Sequence, residues 1–141
     1  MLNSVSFPAL PESQPIILSF IQSFLEHCSM PEPARKQVNL AAEQVFSYIV
    51  NYAYAPVTGE ITVVCSKDKT DPGLLQVEFR DSGHPYNPLK KPTYEEIERK
   101  PGINQIGFSM LEQILDGVQY RYENGQNVIT VFKRLPKGKE E

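Results

Sequence analysis

The stretch Leu40-Ala-Ala-Glu-Gln-Val-Phe-Ser-Tyr-Ile-Val-Asn-Tyr-Ala-Tyr54 reads as the second half of one long amphipathic helix. Apolar residues at Val38, Ala41, Ala42, Val45, Phe46, Ile49, Val50 and Ala53 recur with the three-then-four spacing that sets them on one face, and such a face needs a core to cover. At about 100° per residue, Gln44, Tyr48 and Asn51 fall together on one flank of the stripe, where polar groups can reach a cleft while the helix stays anchored. Pro33 or Ala34 opens the helix, since proline suits a first turn, and Pro56 and Gly59 stop it after about Tyr54.

Upstream, Ser4-Val-Ser-Phe7 alternates like a short edge strand closed by Pro8. A helix follows from Ser13 or Gln14, with Ile16, Ile17, Phe20, Ile21, Phe24 and Leu25 at helical spacing, and breaks before Pro31 and Pro33. Downstream, Ile61, Val63 and Cys65 alternate with Thr62, Val64 and Ser66, and Leu75, Val77 and Phe79 with Gln76, Glu78 and Arg80 across the polar turn from Lys67 to Gly73, which predicts a hairpin. The second of these strands runs out into Asp81-Ser-Gly83-His-Pro85. From His84 to Asn104 the chain carries four prolines and the cations Lys90, Lys91, Arg99 and Lys100, a connection long enough to be a lid or binding loop. Gly107 then opens a third helix with Met110, Leu111, Ile114 and Leu115 on its apolar side. Val118, Tyr120 and Tyr122 alternate, Asn124-Gly125 supplies a hairpin turn, and Val128 to Phe132 returns as the last strand before a charged tail over 135–141 that is expected to fray. Segregated helices and mostly antiparallel strands predict an α+β two-layer sandwich: a mixed sheet with helices on one face.

The chain of 141 residues fits one domain over 1–141. Its 14 basic and 17 acidic residues, net −3, are interspersed, so no basic face is available for nucleic-acid phosphates. Cys28 and Cys65 form no C-x-x-C pair and read as buried free thiols. His27 and His84 have no partners at metal-ligand spacing. There is no charged-then-apolar leader and no apolar run near ~18 residues, which predicts a cytoplasmic protein with no membrane segment.

Three stretches in order, and a fourth that closes them, resemble the ATP-binding domain shared by histidine kinases, gyrase-type ATPases and Hsp90. The nearest likeness is to its stand-alone branch, the bacterial anti-sigma-factor serine kinases. The helix ending in Asn51-Tyr-Ala-Tyr54 resembles the N box, Asp81-Ser-Gly-His-Pro85 the first glycine box D-x-G-x-P, and Gly107 to Asp116 with Val118 the second glycine box and its helix. Asn127-Val-Ile-Thr-Val-Phe-Lys133 is similar to the closing strand.

The resemblance implies ATP as cofactor. Asp81 would accept a hydrogen bond from the adenine amino group, Gly83 would let the backbone pass close to the base, and Thr130 would offer a hydroxyl to adenine. Gly107 would precede a helix whose free N–H groups meet phosphate, Tyr48 would pack across the cleft, and residues 84–106 would form the ATP lid. Without the resemblance, Asp81 reads first as a turn cap at a strand end.

The N box of the family places a general-base glutamate four positions before a magnesium-ligating asparagine, and here those positions hold Gln44 and Tyr48. Glutamine cannot take up a proton at neutral pH and a neutral phenol is a poor Mg²⁺ ligand, so the catalytic place of Gln44 is degenerate and Mg²⁺ lacks its usual ligand. Glu43, turned about 100° away, or Asn51 would have to stand in. Gln105-Ile-Gly107 also stands where G-x-G is expected.

Two functions follow. One is an ATP-dependent protein-serine kinase that binds a sigma factor and phosphorylates an anti-sigma-factor antagonist. The other is a catalytically impaired partner-switch module of the same fold that holds either protein, with nucleotide binding weak or lost. Relatives of this kind commonly form homodimers.

Overall fold

The computed structural model describes residues 3–53, 59–85, 87–89 and 105–136. Its strands are β1 (Asn3–Pro8), β2 (Glu60–Lys67), β3 (Leu74–Asp81), β4 (Gly117–Glu123) and β5 (Gln126–Arg134), and its helices are α1 (Gln14–His27), α2 (Glu32–Tyr48) and α3 (Gln105–Ile114). The five strands form one sheet in the order β1-β2-β3-β5-β4. Every neighbouring pair is antiparallel, so the α+β sandwich expected from the sequence is present with an antiparallel sheet rather than a mixed one.

One face of the sheet carries Ile61, Val63 and Cys65 from β2, Leu75, Val77 and Phe79 from β3, and Ile129 and Val131 from β5, all buried. Alternation of side chains along a strand puts them on one side. The helices cover this side with Ile17, Ile21 and Leu25 of α1, Val38, Ala41, Ala42 and Val45 of α2, and Leu111 of α3. α1 lies against α2 and over β1 and β2, while α2 lies against β5 and α3. Ile16 and Met110, which fit the apolar spacing of their helices, are 51% and 39% exposed, because each sits at the margin of its stripe. Cys65 is buried as expected, whereas Cys28 at the end of α1 is only half-buried.

Helix ends follow local chemistry. After α1, Ser29 takes the left-handed conformation (φ 64°); its N–H donates to the carbonyl of Glu26 and the N–H of Met30 to that of Leu25. This is the double bond of a Schellman closure with serine where glycine is usual. Pro33 sits in the first turn of α2, as its fixed φ allows. The long helix does not stay α to Tyr54. From Ile49 to Ala53 it widens into a π turn, and residues 54–58 lie outside the described residues.

Asn124 and Gly125 both have positive φ, 53° and 77°, which is the primed turn that a two-residue hairpin between β4 and β5 needs. The tail is firmer at its start than its charge suggests. The N–H of Leu135 donates to the Gly73 carbonyl at 2.7 Å and its side chain packs against the core, so the frayed segment does not begin at 135; residues 137–141 lie outside the described residues.

Candidate nucleotide site

At one end of the sheet, five side-chain positions stand in register on the helix-covered face: Phe7, Ile61, Asp81, Asn127 and Tyr122, one from each strand. Four of the five are uncharged. The fifth is a carboxylate, Asp81, the last residue of β3 and only 1% exposed.

Burial of a carboxylate is costly unless it is hydrogen-bonded. Asp81 is bonded on one oxygen. Its Oδ1 accepts from the Gly83 N–H at 2.9 Å and from Asn127 Nδ2 at 2.9 Å. The first bond is the turn cap that aspartate makes at a strand end, and the second comes from the neighbouring strand. Its Oδ2 is buried and has no hydrogen-bond partner among the described residues. Desolvation therefore outweighs the two donors and raises the carboxyl above its ordinary range.

Asn127 ties the cluster together. Its Nδ2 also reaches the His84 carbonyl at 3.0 Å and the Gly83 carbonyl at 3.4 Å, and its Oδ1 accepts a hydrogen bond from the Tyr120 hydroxyl. The loop that leaves β3 is thus sewn to β5 by one amide, and that amide is in turn held by a phenol from β4. The resulting geometry offers a fixed acceptor, Asp81 Oδ2, in a dry position beside a loop whose backbone passes close by. A donor such as an aromatic amino group satisfies it.

The other residues expected at the site are distributed as follows. Gly83 is in the cluster through its own N–H. Thr130 is not beside Asp81: it pairs with Glu78 and Gln119, three positions along β5 from Asn127, and so projects from the opposite face of the sheet. Its hydroxyl is buried there without a partner among the described residues, within a row that includes the Glu78–Arg80 (2.8 Å) and Glu78–Arg121 (3.7 Å) ion pairs. Thr130 was expected to offer its hydroxyl to adenine; the register places Asn127, not Thr130, beside the carboxylate of Asp81.

Gly107 does not precede α3 but lies in its first turn, two residues after Gln105, so its amide is among the first four N–H groups that a helix leaves without internal partners. Tyr48, the last α residue of α2, is buried in the core cluster. Gln44 is half-buried on the same helix.

Asn51 leaves the flank it was expected to share with Gln44 and Tyr48. It is exposed, and its Nδ2 donates to Ser47 Oγ at 3.2 Å. Asn51 lies in the π turn, one helical turn after Ser47, the spacing at which two side chains on a helix meet. Of the lid expected over 84–106, His84, Pro85 and 87–89 are described; 105–106 belong to α3, and 86 and 90–104, including Lys90, Lys91, Arg99 and Lys100, lie outside the described residues.

The signal that could have found Asn127 was weak. Val128 to Val131 is a continuous apolar and β-branched run, as a strand buried on both faces tends to be, so its alternation does not say which side chains share a face with Asp81. Among the described residues no helix is long and apolar enough to cross a membrane.

None of the curated proteins compared with the chain matches it. The family model of the histidine kinase-like ATPase domain matches residues 7–133, from the end of β1 to the end of β5, and takes in Asp81, Gly83, Gly107 and Asn127. Matched over most of its length and folded as an antiparallel sheet under three helices with an acceptor carboxylate at the strand end, the chain belongs to the histidine kinase-like ATPase domain family.

Proposed function

We propose that this protein is an anti-sigma regulatory factor-like ATP-binding protein, similar to the serine-protein kinases that bind a sigma factor and phosphorylate an anti-sigma-factor antagonist, with ATP seated by its adenine on Asp81. The observation that carries the reading is the buried Oδ2 of Asp81, which has no hydrogen-bond partner among the described residues, in a cluster where Oδ1, the Gly83 N–H and the Asn127 amide are bonded to one another. A carboxylate kept dry and half-satisfied has a reason to exist if a ligand donor completes it. Gly83 in the same turn and the first-turn amides of α3 around Gly107 are the chain's further means of meeting base and phosphate.

ATP brings the phosphoryl group when bound. What this chain's residues supply is a grip on the purine, exclusion of water at Asp81, and a loop fixed by Asn127. Phosphoryl transfer also asks for a positioned base and a metal ligand. Gln44 holds no titratable proton-accepting group, and Tyr48 is buried in the core rather than presented to solvent.

Those two residues favour a second reading: a partner-switch module in which nucleotide tunes binding and no serine is phosphorylated. Incubation with radiolabelled ATP, Mg²⁺ and a cognate antagonist, alongside Gln44→Glu/Tyr48→Asn, separates the two. Transfer by the wild type at an ordinary kinase rate, about 1–100 s⁻¹, supports the kinase. Transfer by the double variant alone supports the module.

A further inference from the structure

The Asp81 cluster occupies one end of the sheet, and a second concavity lies toward the other. β1 pairs with β2 only as far as Asn3 opposite Cys65, whereas β2 and β3 continue together through Ser66–Gln76 and Lys67–Leu75. A groove of about 920 Å³ wraps this end, between the last turns of α1 and the end of β2. Gln76, which lines it, precedes Asp81 by five residues of β3, roughly 17 Å at the rise of a strand. Part of its wall is apolar: Phe20, Phe24 and Cys28 follow at four-residue steps along α1 and its exit, and Val64 of β2 joins them. Ile16, one step earlier on the same line, is 51% exposed. The rim is cationic. Lys67, Lys69 and His27 line the groove and are exposed. Neither lysine has an ion pair among the described residues, and Asp68 between them is turned into its own loop, its Oδ2 accepting from the Thr70 and Asp71 N–H groups and the Thr70 hydroxyl. The other charges in the wall, Glu78 and Arg80, are paired at 2.8 Å. In a chain of net charge −3, this groove therefore keeps two uncompensated lysines beside an apolar surface.

We infer that this groove docks an acidic amphipathic segment of a partner protein, with its apolar side chains on Phe20, Phe24 and Val64 and its carboxylates toward Lys67 and Lys69. An apolar centre inside a charged rim is the anatomy of a protein interface, and aromatic side chains are its usual anchors. The charges choose the partner, since the lysine pair steers an acidic segment in and repels a basic one. A nucleic acid would meet the lysines and leave the apolar wall uncovered. A two-fold contact with a second copy, centred on the groove, would bring each lysine pair toward its symmetry mate. The inference does not rest on the nucleotide reading, because no residue of the groove belongs to the Asp81 cluster.

To test it, a random peptide library is displayed on phage and selected against the wild-type protein, and the leading peptide is synthesised for calorimetry and ¹⁵N spectra. Enriched sequences should carry Asp or Glu beside apolar residues at three- and four-residue spacing, and the leading peptide should shift the amide signals of Phe20, Phe24 and Val64. Its affinity should fall by about tenfold or more in Lys67→Glu/Lys69→Glu, which reverses the rim, and in Ser23→Tyr, which sets a ring into the groove from an exposed position of α1. Both variants change exposed residues, and circular dichroism checks that they fold. High salt should weaken binding to wild type. No enrichment, enrichment of sequences without acidic residues, or a leading peptide that binds both variants as it binds wild type overturns the inference. So does a dimer of the peptide-free protein, seen by sedimentation, that Lys67→Glu/Lys69→Glu dissolves, since the occupant of the groove would then be a second copy.

Discussion

Asp81 carries a cost that the ligand-free protein bears alone. Its ionised form is disfavoured by burial more than it is helped by Asn127 and Gly83, so its carboxyl titrates above the ordinary value. A carboxyl raised in the folded state contributes stability below its ordinary range and loses that contribution as pH rises through the raised value. Asp81→Asn, which cannot ionise, should therefore gain stability on wild type across that window and hold a constant margin above it. Urea melts of the ligand-free protein from pH 3 to pH 7 test this, and a margin already full at pH 3 would contradict it. Thr130 gives the opposite kind of test. Its hydroxyl is buried on the far face with no hydrogen-bond partner among the described residues, so Thr130→Val should be neutral or slightly stabilising, by up to about 1 kcal/mol, and should leave ATP affinity unchanged. Loss of ATP binding in that variant would place the base on the wrong face of the sheet. Cys65 is a third residue whose surroundings set its chemistry: burial, with a smaller contribution from Cys28, pushes its thiol up to about 12. In the folded protein at pH 8 it should resist a thiolate-specific reagent that labels it at once in denaturant. At this scale the sequence named Asp81 and Gly83, because a strand that ends in aspartate and glycine is visible locally. It did not name Asn127, whose partnership with Asp81 spans 46 residues and exists only once β3 and β5 lie side by side.

Among the elements, α1 and the β4–β5 hairpin were plain in the sequence, since helical spacing and an Asn-Gly turn are short-range signals. The end of α2 was not. Apolar spacing through Val50 and Ala53 promised an unbroken α-helix, and nothing in residue type announces that Ile49 to Ala53 will adopt i→i+5 bonding. Asn51 lies in this turn, exposed, with its amide on Ser47 rather than beside Gln44 and Tyr48. The closure of α1 offers a stability test of its own. Ser29 is held at φ 64°, a conformation that penalises an L side chain by roughly 1–2 kcal/mol, partly offset for glycine by its larger loss of freedom on folding. Ser29→Gly should stabilise by about 0.5–1 kcal/mol in denaturant melts, and a destabilised variant would mean that the serine side chain, rather than the two backbone bonds, holds the turn.

Over the whole molecule, the two-layer architecture was legible because helices and strands segregate along the chain and each buries one face. Strand order was not, since placing β5 between β3 and β4 is a long-range choice that no local pattern encodes. That choice assembles the candidate site: β3 brings the carboxylate, β5 the amide and β4 the phenol, while α3 rests on the same core through the fully buried Leu111. Leu111→Ala should cost about 2–5 kcal/mol, and should weaken ATP binding only as far as α3 helps to hold phosphate. The central claim is that this fold retains a working purine acceptor in Asp81. Calorimetric titration of ATP into wild type and Asp81→Asn tests it most directly: wild type should bind, and the variant, with a weaker acceptor and an amide group where Oδ2 stood, should lose about tenfold or more in affinity. Equal affinities in the two proteins, with both folded, would contradict it.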